Sequence, residues 1–348
     1  MINSNKISVS EIFNQIYSDW FGKDVQTDYT YSYVWMANQF GHFGIGFISS
    51  VFIFWMLIYS GVLPDKFQYV LMGQIAFWTL KEVNDYFLVT KNNGRSFKTD
   101  KSFVLKDFST DVFFIVFGSV VAYVGFTISV VWGLISFAIG LLPCLFLFVY
   151  WIRLKMYFQI TAIPYYYRLS SFFGLIDDKQ VEKINTFIKN KLPQNKTDWQ
   201  HILIFGPYNS GKTSLGIGMG TDLAINKVLT RYMSFNKFLD LLNLETEKKF
   251  EEGTEIVPWR KTELLIVDNV STGIDKSTAF NPELFKEAIL KSKYSKQNIE
   301  KLQNQKTIWV IGNDAMAEDW VRLFTDLKLT MHGEVACVVL RESKRTDS

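Results

Sequence analysis

Residues 201–213 have the sequence HILIFGPYNSGKT, in which a mainly apolar run is followed at once by a glycine-rich segment. The apolar run is typical of a strand that is buried on both faces of a parallel sheet. The segment after it fits the pattern G-x-x-x-x-G-K-[ST], and the residues from Ser214 onward suit a helix. A strand, this pattern and a helix, in that order, predict a phosphate-binding P-loop.

The residue types in this loop are those that nucleotide phosphates require. Gly206 and Gly211 permit a tight backbone whose N–H groups surround phosphate oxygens at the positive end of a helix. We expect the Lys212 ammonium to contact the β- and γ-phosphates and the Thr213 hydroxyl to bind Mg²⁺. The predicted nucleotide-binding residues are Gly206, Pro207, Tyr208, Asn209, Ser210, Gly211, Lys212, Thr213 and Ser214.

Further apolar runs downstream predict more strands of the same sheet. The run LLIVD at residues 264–268 ends in a carboxylate, so we expect Asp268 to lie beside the loop and hold Mg²⁺, directly or through water. The run at residues 307–311 precedes Asn313, which either orients the attacking water or touches the γ-phosphate, or belongs to a turn-forming Asn-Asp pair. A last strand is predicted over residues 334–340.

The pair of GTPase motifs DxxG and NKxD is absent after the P-loop, where residues 268–271 read DNVS and lack the glycine, so ATP is the predicted nucleotide and Mg²⁺ the predicted metal ion. The two cysteines, Cys144 and Cys337, provide neither a disulfide framework nor zinc-ligand spacing. A net charge of +3 argues against a global electrostatic grip on nucleic acid. A lysine-rich stretch at residues 286–306 is either a local patch for nucleic acid, phospholipid or an acidic protein partner, or a solvated helix face.

Residues 198–345 resemble the AAA+ ATPases, and among them the helicase-loader and transposition-helper branch (DnaC/IstB-like). The segments that carry the resemblance are residues 202–207, 211–215, 232–234 and 238–242, with Asp268 and Asn313. The resemblance implies an αβα core with Lys212 in Walker A, Asp268 in Walker B and Asn313 as sensor 1. It also implies ATP hydrolysis and a homo-oligomer.

The sequence departs from this family in one important position. Members usually carry a second acid after the Walker B aspartate, whereas this chain has Asn269, and an amide cannot act as a general base. Turnover is therefore slow, or another acid such as Glu263 or Asp275 substitutes. The family also leads us to expect an arginine finger, for which Arg322 is the candidate and Lys328 a poorer one.

The first half of the chain contains long stretches without Asp, Glu, Lys or Arg. Residues 41–62 form one such stretch of 22 residues, and residues 112–152 form another of 41 residues. Because about 20 apolar residues cross a bilayer, these stretches predict one and two spanning helices. The predicted turn between the latter two lies at residues 131–133. Residues 67–88 are predicted to form one more membrane-spanning helix if that helix continues through its charged residues.

The complete prediction is an α-helical transmembrane domain of about four helices followed by an α/β P-loop NTPase domain (αβα, parallel sheet). By the positive-inside rule, basic residues between the second and third crossings and after the fourth place both termini and the ATPase domain in the cytoplasm, at an inner membrane. The predicted segments are an N-terminal cytoplasmic or interfacial part at 1–40, the membrane helices at 41–152, a juxtamembrane helix and linker at 153–197, and the ATPase domain at 198–348.

Four polar residues of the membrane half form a candidate cluster: His42, Lys81, Glu82 and Asp85. Glu82 and Asp85 share a helix face, and Lys81 or His42 is placed to neutralise them. The alternative is an interfacial helix end whose charges reach water. The order of these residues resembles the VanZ-like membrane domains, which implies a site for a small ligand or a lipid headgroup.

Three functions fit these patterns. The preferred one is a membrane-anchored cytoplasmic ATPase that couples binding or hydrolysis of Mg-ATP to assembly or to a membrane-linked event. The second is a nucleotide-gated membrane scaffold or sensor with little turnover, which Asn269 would allow. The third is a lipid-binding or enzymatic membrane domain, built on His42, Glu82 and Asp85, that the P-loop domain regulates.

Overall fold

A computed structural model describes residues 7–17, 31–61, 66–91, 96–174, 176–190, 199–247, 250–251, 254–270, 282–312, 317–330 and 333–341. The chain divides into two compact units. The helical unit contains Ile7–Asn93 and Lys98–Arg153, and the α/β unit contains Leu154–Ser348 together with a short segment that includes Phe97.

Five helices make up the first half of the chain, and three of them are long and apolar enough to cross a membrane. The helices are α1 (Val9–Tyr17), α2 (Tyr31–Tyr59), α3 (Phe67–Thr90), α4 (Lys101–Thr127) and α5 (Val130–Gln159). The three candidate spans among the described residues are Trp35–Tyr59, Lys101–Thr127 and Val130–Gln159. This helical half agrees with the predicted fold class.

Two details differ from the sequence prediction. Helix α3 forms where the second crossing was predicted, but it is not among the three apolar spans, and its crossing stays a prediction. The turn predicted near residues 131–133 lies at residues 128–129, because α4 ends at Thr127 and α5 already begins at Val130. Ser129 starts the new helix, since its hydroxyl accepts a hydrogen bond from the Trp132 N–H at 3.3 Å.

Helices α2 and α4 cross at two glycines. A Cβ added to Gly46 would lie 2.0 Å from the Ile115 carbonyl oxygen, and one added to Gly118 would lie 2.2 Å from the Phe43 carbonyl oxygen. Small residues at such a crossing let two helix backbones approach closely, which is a common packing mode in membranes. Helix α3 joins at the same level, because the buried Gln74 amide donates to the Gly46 carbonyl at 3.0 Å.

The α/β unit is built on a five-stranded sheet. Its strands are β1 (Trp199–Phe205), β2 (Thr230–Ser234), β5 (Leu264–Asp268), β6 (Lys306–Val310) and β7 (Glu334–Val339), and a small hairpin of β3 (Phe250–Glu251) and β4 (Thr254–Glu255) lies apart. The order across the sheet is β2-β5-β6-β1-β7, and the four pairings are parallel. The predicted parallel sheet is therefore confirmed.

Helices cover both faces of the sheet because the strands are apolar on both faces. They are α6 (Asp178–Lys189), α7 (Lys212–Ile225), α8 (Phe235–Leu242), α9 (Pro282–Lys291), α10 (Ser295–Gln303) and α11 (Ala317–Asp326). On β1, Ile204 lies toward Gly216 of α7, whereas Leu203 and Phe205 belong to the core on the other face. The buried Lys306 side chain donates to the carbonyls of Phe187 and Asn190, and so satisfies the last turn of α6.

An aromatic cluster fills the core between the sheet and the helices of that other face. The Trp309 ring of β6 lies 5.3 Å from Phe285, 5.5 Å from Phe238 and 5.6 Å from Phe324, measured between ring centroids. These partners come from α9, α8 and α11, and all four side chains are fully buried. Trp309 therefore joins three helices to the central part of the sheet.

We expect Trp309→Ala to lower the free energy of unfolding by about 3–5 kcal/mol, because the change leaves a large cavity among fully buried aromatic side chains. Denaturation by urea of the detergent-purified full-length protein, followed by near-UV circular dichroism, measures the change. The control is Leu290→Ala, because the Leu290 side chain is 51% exposed. Equal stability of the two variants would contradict this description of the core.

Candidate nucleotide site

The P-loop leads from β1 into α7. Gly211 precedes the helix with a φ of +89°, a left-handed conformation that side chains with a Cβ rarely adopt. Helix α7 begins at Lys212, so its free N–H groups face the loop. The loop geometry is therefore that of an anion site at a helix N-terminus.

Two polar side chains of the loop are arranged to meet phosphate. The Lys212 Nζ donates to the carbonyl oxygens of Gly206 at 2.8 Å and Pro207 at 2.6 Å, bonds that phosphate oxygens can replace. Burial lowers the pKa of Lys212, and the negative charge of Asp268 partly opposes this shift. The Ser210 hydroxyl is buried and has no hydrogen-bond partner among the described residues. An anion in the loop would satisfy both groups.

Asp268 lies at the end of β5 and receives three hydrogen bonds. Its Oδ1 accepts from the Thr213 hydroxyl at 3.2 Å and from the Asn269 backbone N–H at 2.7 Å, and its Oδ2 accepts from the Tyr232 hydroxyl at 2.6 Å. The residue is 1% exposed. The fold thus brings together Thr213 and Asp268, the two residues predicted to hold Mg²⁺, and a hydroxyl beside a carboxylate is a suitable oxygen donor set for that ion.

Sequence reasoning missed Tyr232 as a site residue. It lies on β2, which pairs with β5 so that Ser234 is opposite Asp268. Burial raises the pKa of the Tyr232 phenol, and its hydrogen bond to Asp268 raises it further. This contact could have been predicted only from the order of the strands, because Tyr232 becomes a neighbour of Asp268 only when β2 lies next to β5.

The other predicted catalytic residues are placed differently. Asn313 and Asp275 lie outside the described residues. Strand β6, which precedes Asn313, lies between β1 and β5, and the Gly312 carbonyl accepts from the Gly206 N–H at 3.0 Å. Arg322 lies on the exposed side of α11, and its role as an arginine finger stays a prediction.

Glu263 does not substitute for the missing second acid. It precedes β5, at the opposite end of the strand from Asp268, and its carboxylate accepts from the Leu229 N–H at 3.0 Å. Asn269 itself has a φ of +60°, a left-handed conformation that Asn tolerates better than Glu. The local backbone therefore gives a physical reason for an amide at this position.

The segment that precedes the sheet packs against the P-loop and α7. Phe172 is buried, and a Cβ added to Gly211 would lie 3.2 Å from its ring. The Arg168 guanidinium pairs with the Asp222 carboxylate of α7 at 2.5 Å. The backbone N–H of Tyr232 donates to the Thr161 carbonyl at 2.7 Å. This segment is therefore an integral part of the α/β unit.

Most lysine side chains of the lysine-rich stretch, residues 286–306, make contacts within the protein. Lys286 pairs with Asp326 at 3.0 Å, Lys291 pairs with Glu287, and Lys301 donates to the Thr262 carbonyl at 2.7 Å. Lys306 is buried. These contacts favour the interpretation as a structural and solvated face over a nucleic-acid patch.

The polar cluster of the helical unit includes residues that the sequence did not single out. Lys81 pairs with both Glu82 and Asp85 at 2.8 Å, whereas His42 lies 3.4 Å from Asp111 of α4. The Gln39 amide donates to the same Asp111 oxygen at 3.3 Å. Asp111 escaped notice because it directly precedes the uncharged stretch and resembled the boundary of a span. Among the described residues, no group of three His, Cys, Asp or Glu side chains suits a metal ion.

A parallel five-stranded sheet with this loop after β1 defines an α/β P-loop NTPase fold. Two solved structures are similar to part of the chain. A crystal structure of DnaI is 15% identical with a TM-score of 0.33, covering 51% of this chain and 90% of its own. A crystal structure of the DnaC helicase loader is 14% identical with a TM-score of 0.30, covering 53% of this chain and 99% of its own.

No protein-family model and no curated protein matches the chain. At the identities and TM-scores of the two structures, their likeness carries no argument about function. The VanZ-like resemblance of the membrane half receives no support from these comparisons. The assignment of the α/β unit therefore rests on its own strand order and loop.

Because Ser210 is buried without a partner among the described residues, Ser210→Ala is expected to leave the melting temperature unchanged or slightly raised. The same change should weaken phosphate binding roughly ten- to hundredfold, since a hydrogen bond to a charged group is lost. Differential scanning fluorimetry with and without ATP measures both effects. A variant that melts lower in the absence of ATP would show that the hydroxyl has a structural partner.

Proposed function

We propose that this chain is a membrane-anchored ATPase whose α/β unit binds Mg-ATP on the cytoplasmic side of an inner membrane. The observation that supports this most directly is the meeting of Lys212, Thr213 and Asp268 at the carboxyl edge of the sheet, where the Thr213 hydroxyl contacts Asp268 at 3.2 Å. The three apolar helices supply the anchor. Binding or hydrolysis of ATP then drives assembly of copies or a membrane-linked event.

Each residue of the site has a defined task in this function. Lys212 exchanges its bonds to two loop carbonyls for bonds to phosphate oxygens, and the N–H groups at the start of α7 bind the same anion. Thr213 and Asp268 would hold Mg²⁺, which would supply positive charge next to the phosphates. Because Asn269 cannot accept a proton, Asn313 is proposed to orient the attacking water, and a finger at Arg322 is proposed to stabilise the charge of the transition state.

The test is ATP turnover by the detergent-purified protein over a range of protein concentrations. Lys212→Ala should reduce turnover roughly 100-fold or more, because it removes the cation that stabilises the transferring phosphoryl group. The matched control is Lys227→Ala, since Lys227 lies beyond the opposite end of α7. Turnover that rises faster than linearly with concentration supports a site shared between copies.

Tight ATP binding without turnover would overturn the ATPase and support a nucleotide-gated scaffold or sensor. Asn269 is the residue that favours this function. Absence of ATP binding by the wild-type protein would overturn both forms of the proposal. Fluorescent ATP binding, measured beside turnover on the same samples, separates these outcomes.

A second function is a small-ligand or lipid-headgroup site in the helical unit. The favouring observation is that Gln39 Oε1 and His42 Nδ1, both next to Asp111, are buried without a partner among the described residues. Ionisable groups within membrane helices are costly and are commonly functional. Glu82, whose side chain is 8% exposed, lies in the same helical bundle.

Glu82→Gln and Asp85→Asn form a matched pair for this second function, because both acids pair with Lys81 at 2.8 Å but the Asp85 side chain is 45% exposed. We expect Glu82→Gln alone to reduce the phospholipid that copurifies with the protein, while ATP turnover is unchanged in both variants. Mass spectrometry of lipid extracts measures the retained phospholipid. Equal lipid content in the two variants and the wild type would contradict the site.

A further inference from the structure

The Tyr232 hydroxyl is the one side-chain donor to Oδ2 of Asp268 among the described contacts of that carboxylate. The O–O distance is 2.6 Å, which is typical of a charge-assisted bond between a hydroxyl and a carboxylate. A phenol is protonated at physiological pH, so the Tyr232 hydroxyl is the donor in this bond.

The two oxygens of Asp268 therefore have different environments. Oδ1 faces the Thr213 hydroxyl and the Asn269 N–H, whereas Oδ2 is held by Tyr232. A carboxylate with one oxygen fixed cannot rotate freely about its last torsion. The Tyr232 bond thus keeps Oδ1 directed toward Thr213, the other residue proposed to hold the metal.

Tyr232 is itself fixed at its backbone. Its N–H donates to the Thr161 carbonyl at 2.7 Å, and Thr161 is fully buried. Thr161 in turn lies in a short turn after α5, where its hydroxyl donates to the Phe158 carbonyl at 2.6 Å and accepts from the Ile163 N–H at 3.1 Å. A side chain whose backbone is held in this way can orient a partner with little loss of conformational freedom.

We propose that Tyr232 is a positioning residue for the metal site, which holds the Asp268 carboxylate in the orientation that binds Mg²⁺ beside Thr213. The inference rests on the proposed function, because it assigns a role within the Mg-ATP site. It adds a residue from β2, a strand outside the P-loop and the Walker B run, to the groups that determine metal affinity. Tyr232 acts through Asp268 and is not a metal ligand itself.

The decisive variant is Tyr232→Phe, which keeps the ring and removes the hydroxyl. Fluorescent ATP binding by the full-length, detergent-purified protein is measured over a Mg²⁺ titration and in EDTA. The Mg²⁺ concentration at half-saturation should rise roughly tenfold or more, because a hydrogen bond to a charged group is lost. ATP binding in EDTA should stay at the wild-type value, while the melting temperature falls by a few degrees because the buried Oδ2 of Asp268 loses its donor.

Tyr294→Phe is the matched control, since Tyr294 precedes α10 and contacts Arg260 rather than the P-loop. It should leave the Mg²⁺ titration unchanged. An unaltered Mg²⁺ midpoint in Tyr232→Phe overturns the positioning role. Equal losses of ATP binding with Mg²⁺ and in EDTA also overturn it and show that Tyr232 only stabilises the fold. A wild-type protein that binds no ATP in either buffer overturns the proposed function, and this inference with it.

Discussion

The parallel pairing of β1, β6 and β5 is the constraint on which the candidate nucleotide site depends. Hydrogen bonds between these strands place their carboxyl ends along one edge, so that the loop after β1 and the carboxylate at the end of β5 meet. Neither group would approach the other through local sequence, since Thr213 and Asp268 are 55 residues apart. The register of β2 against β5 then adds Tyr232 to the same edge.

The rigidity of this edge of the sheet depends on the aromatic core that packs against the same strands. Trp309 lies on the middle strand of the three and packs against helices α8, α9 and α11 on one face, while α7 covers the other. The two faces of each buried strand are therefore filled independently. A site whose groups lie on such strands is held more rigidly than one built on loops alone.

Much of the α/β unit can be predicted from the sequence, because the patterns that indicate its strands and its loop are local. The runs at 264–268 and 307–311 are contiguous and apolar, so strands were predicted within a residue or two of β5 and β6. The P-loop carries its own pattern. Tyr232 and Asp111 were not predictable in the same way, since each acquires its partner only through the order of strands or the packing of helices. Asn269 was predicted to affect catalysis, but its left-handed backbone became visible only in the structure.

The helical unit is less predictable from the sequence. The length of an apolar stretch is easy to recognise, whereas the contacts between helices are not. The crossing of α2 and α4 at Gly46 and Gly118 depends on two residues without side chains, which no hydropathy pattern singles out. The charged part of α3 had the opposite effect. It made the predicted crossing of residues 67–88 conditional, and the contact that Gln74 makes with the other helices became visible only in the structure.

The position of residues 154–172 within the α/β unit decides where the chain can be cut. A soluble fragment that starts at the linker before β1 would lack Thr161, Leu169 and Phe172, and it would leave the outer side of β2 and part of α7 uncovered. Unpaired strand edges and newly bared apolar surface promote aggregation. A fragment that begins near Leu154 retains this covering, so the folding boundary of the α/β unit lies within α5 and not at the linker.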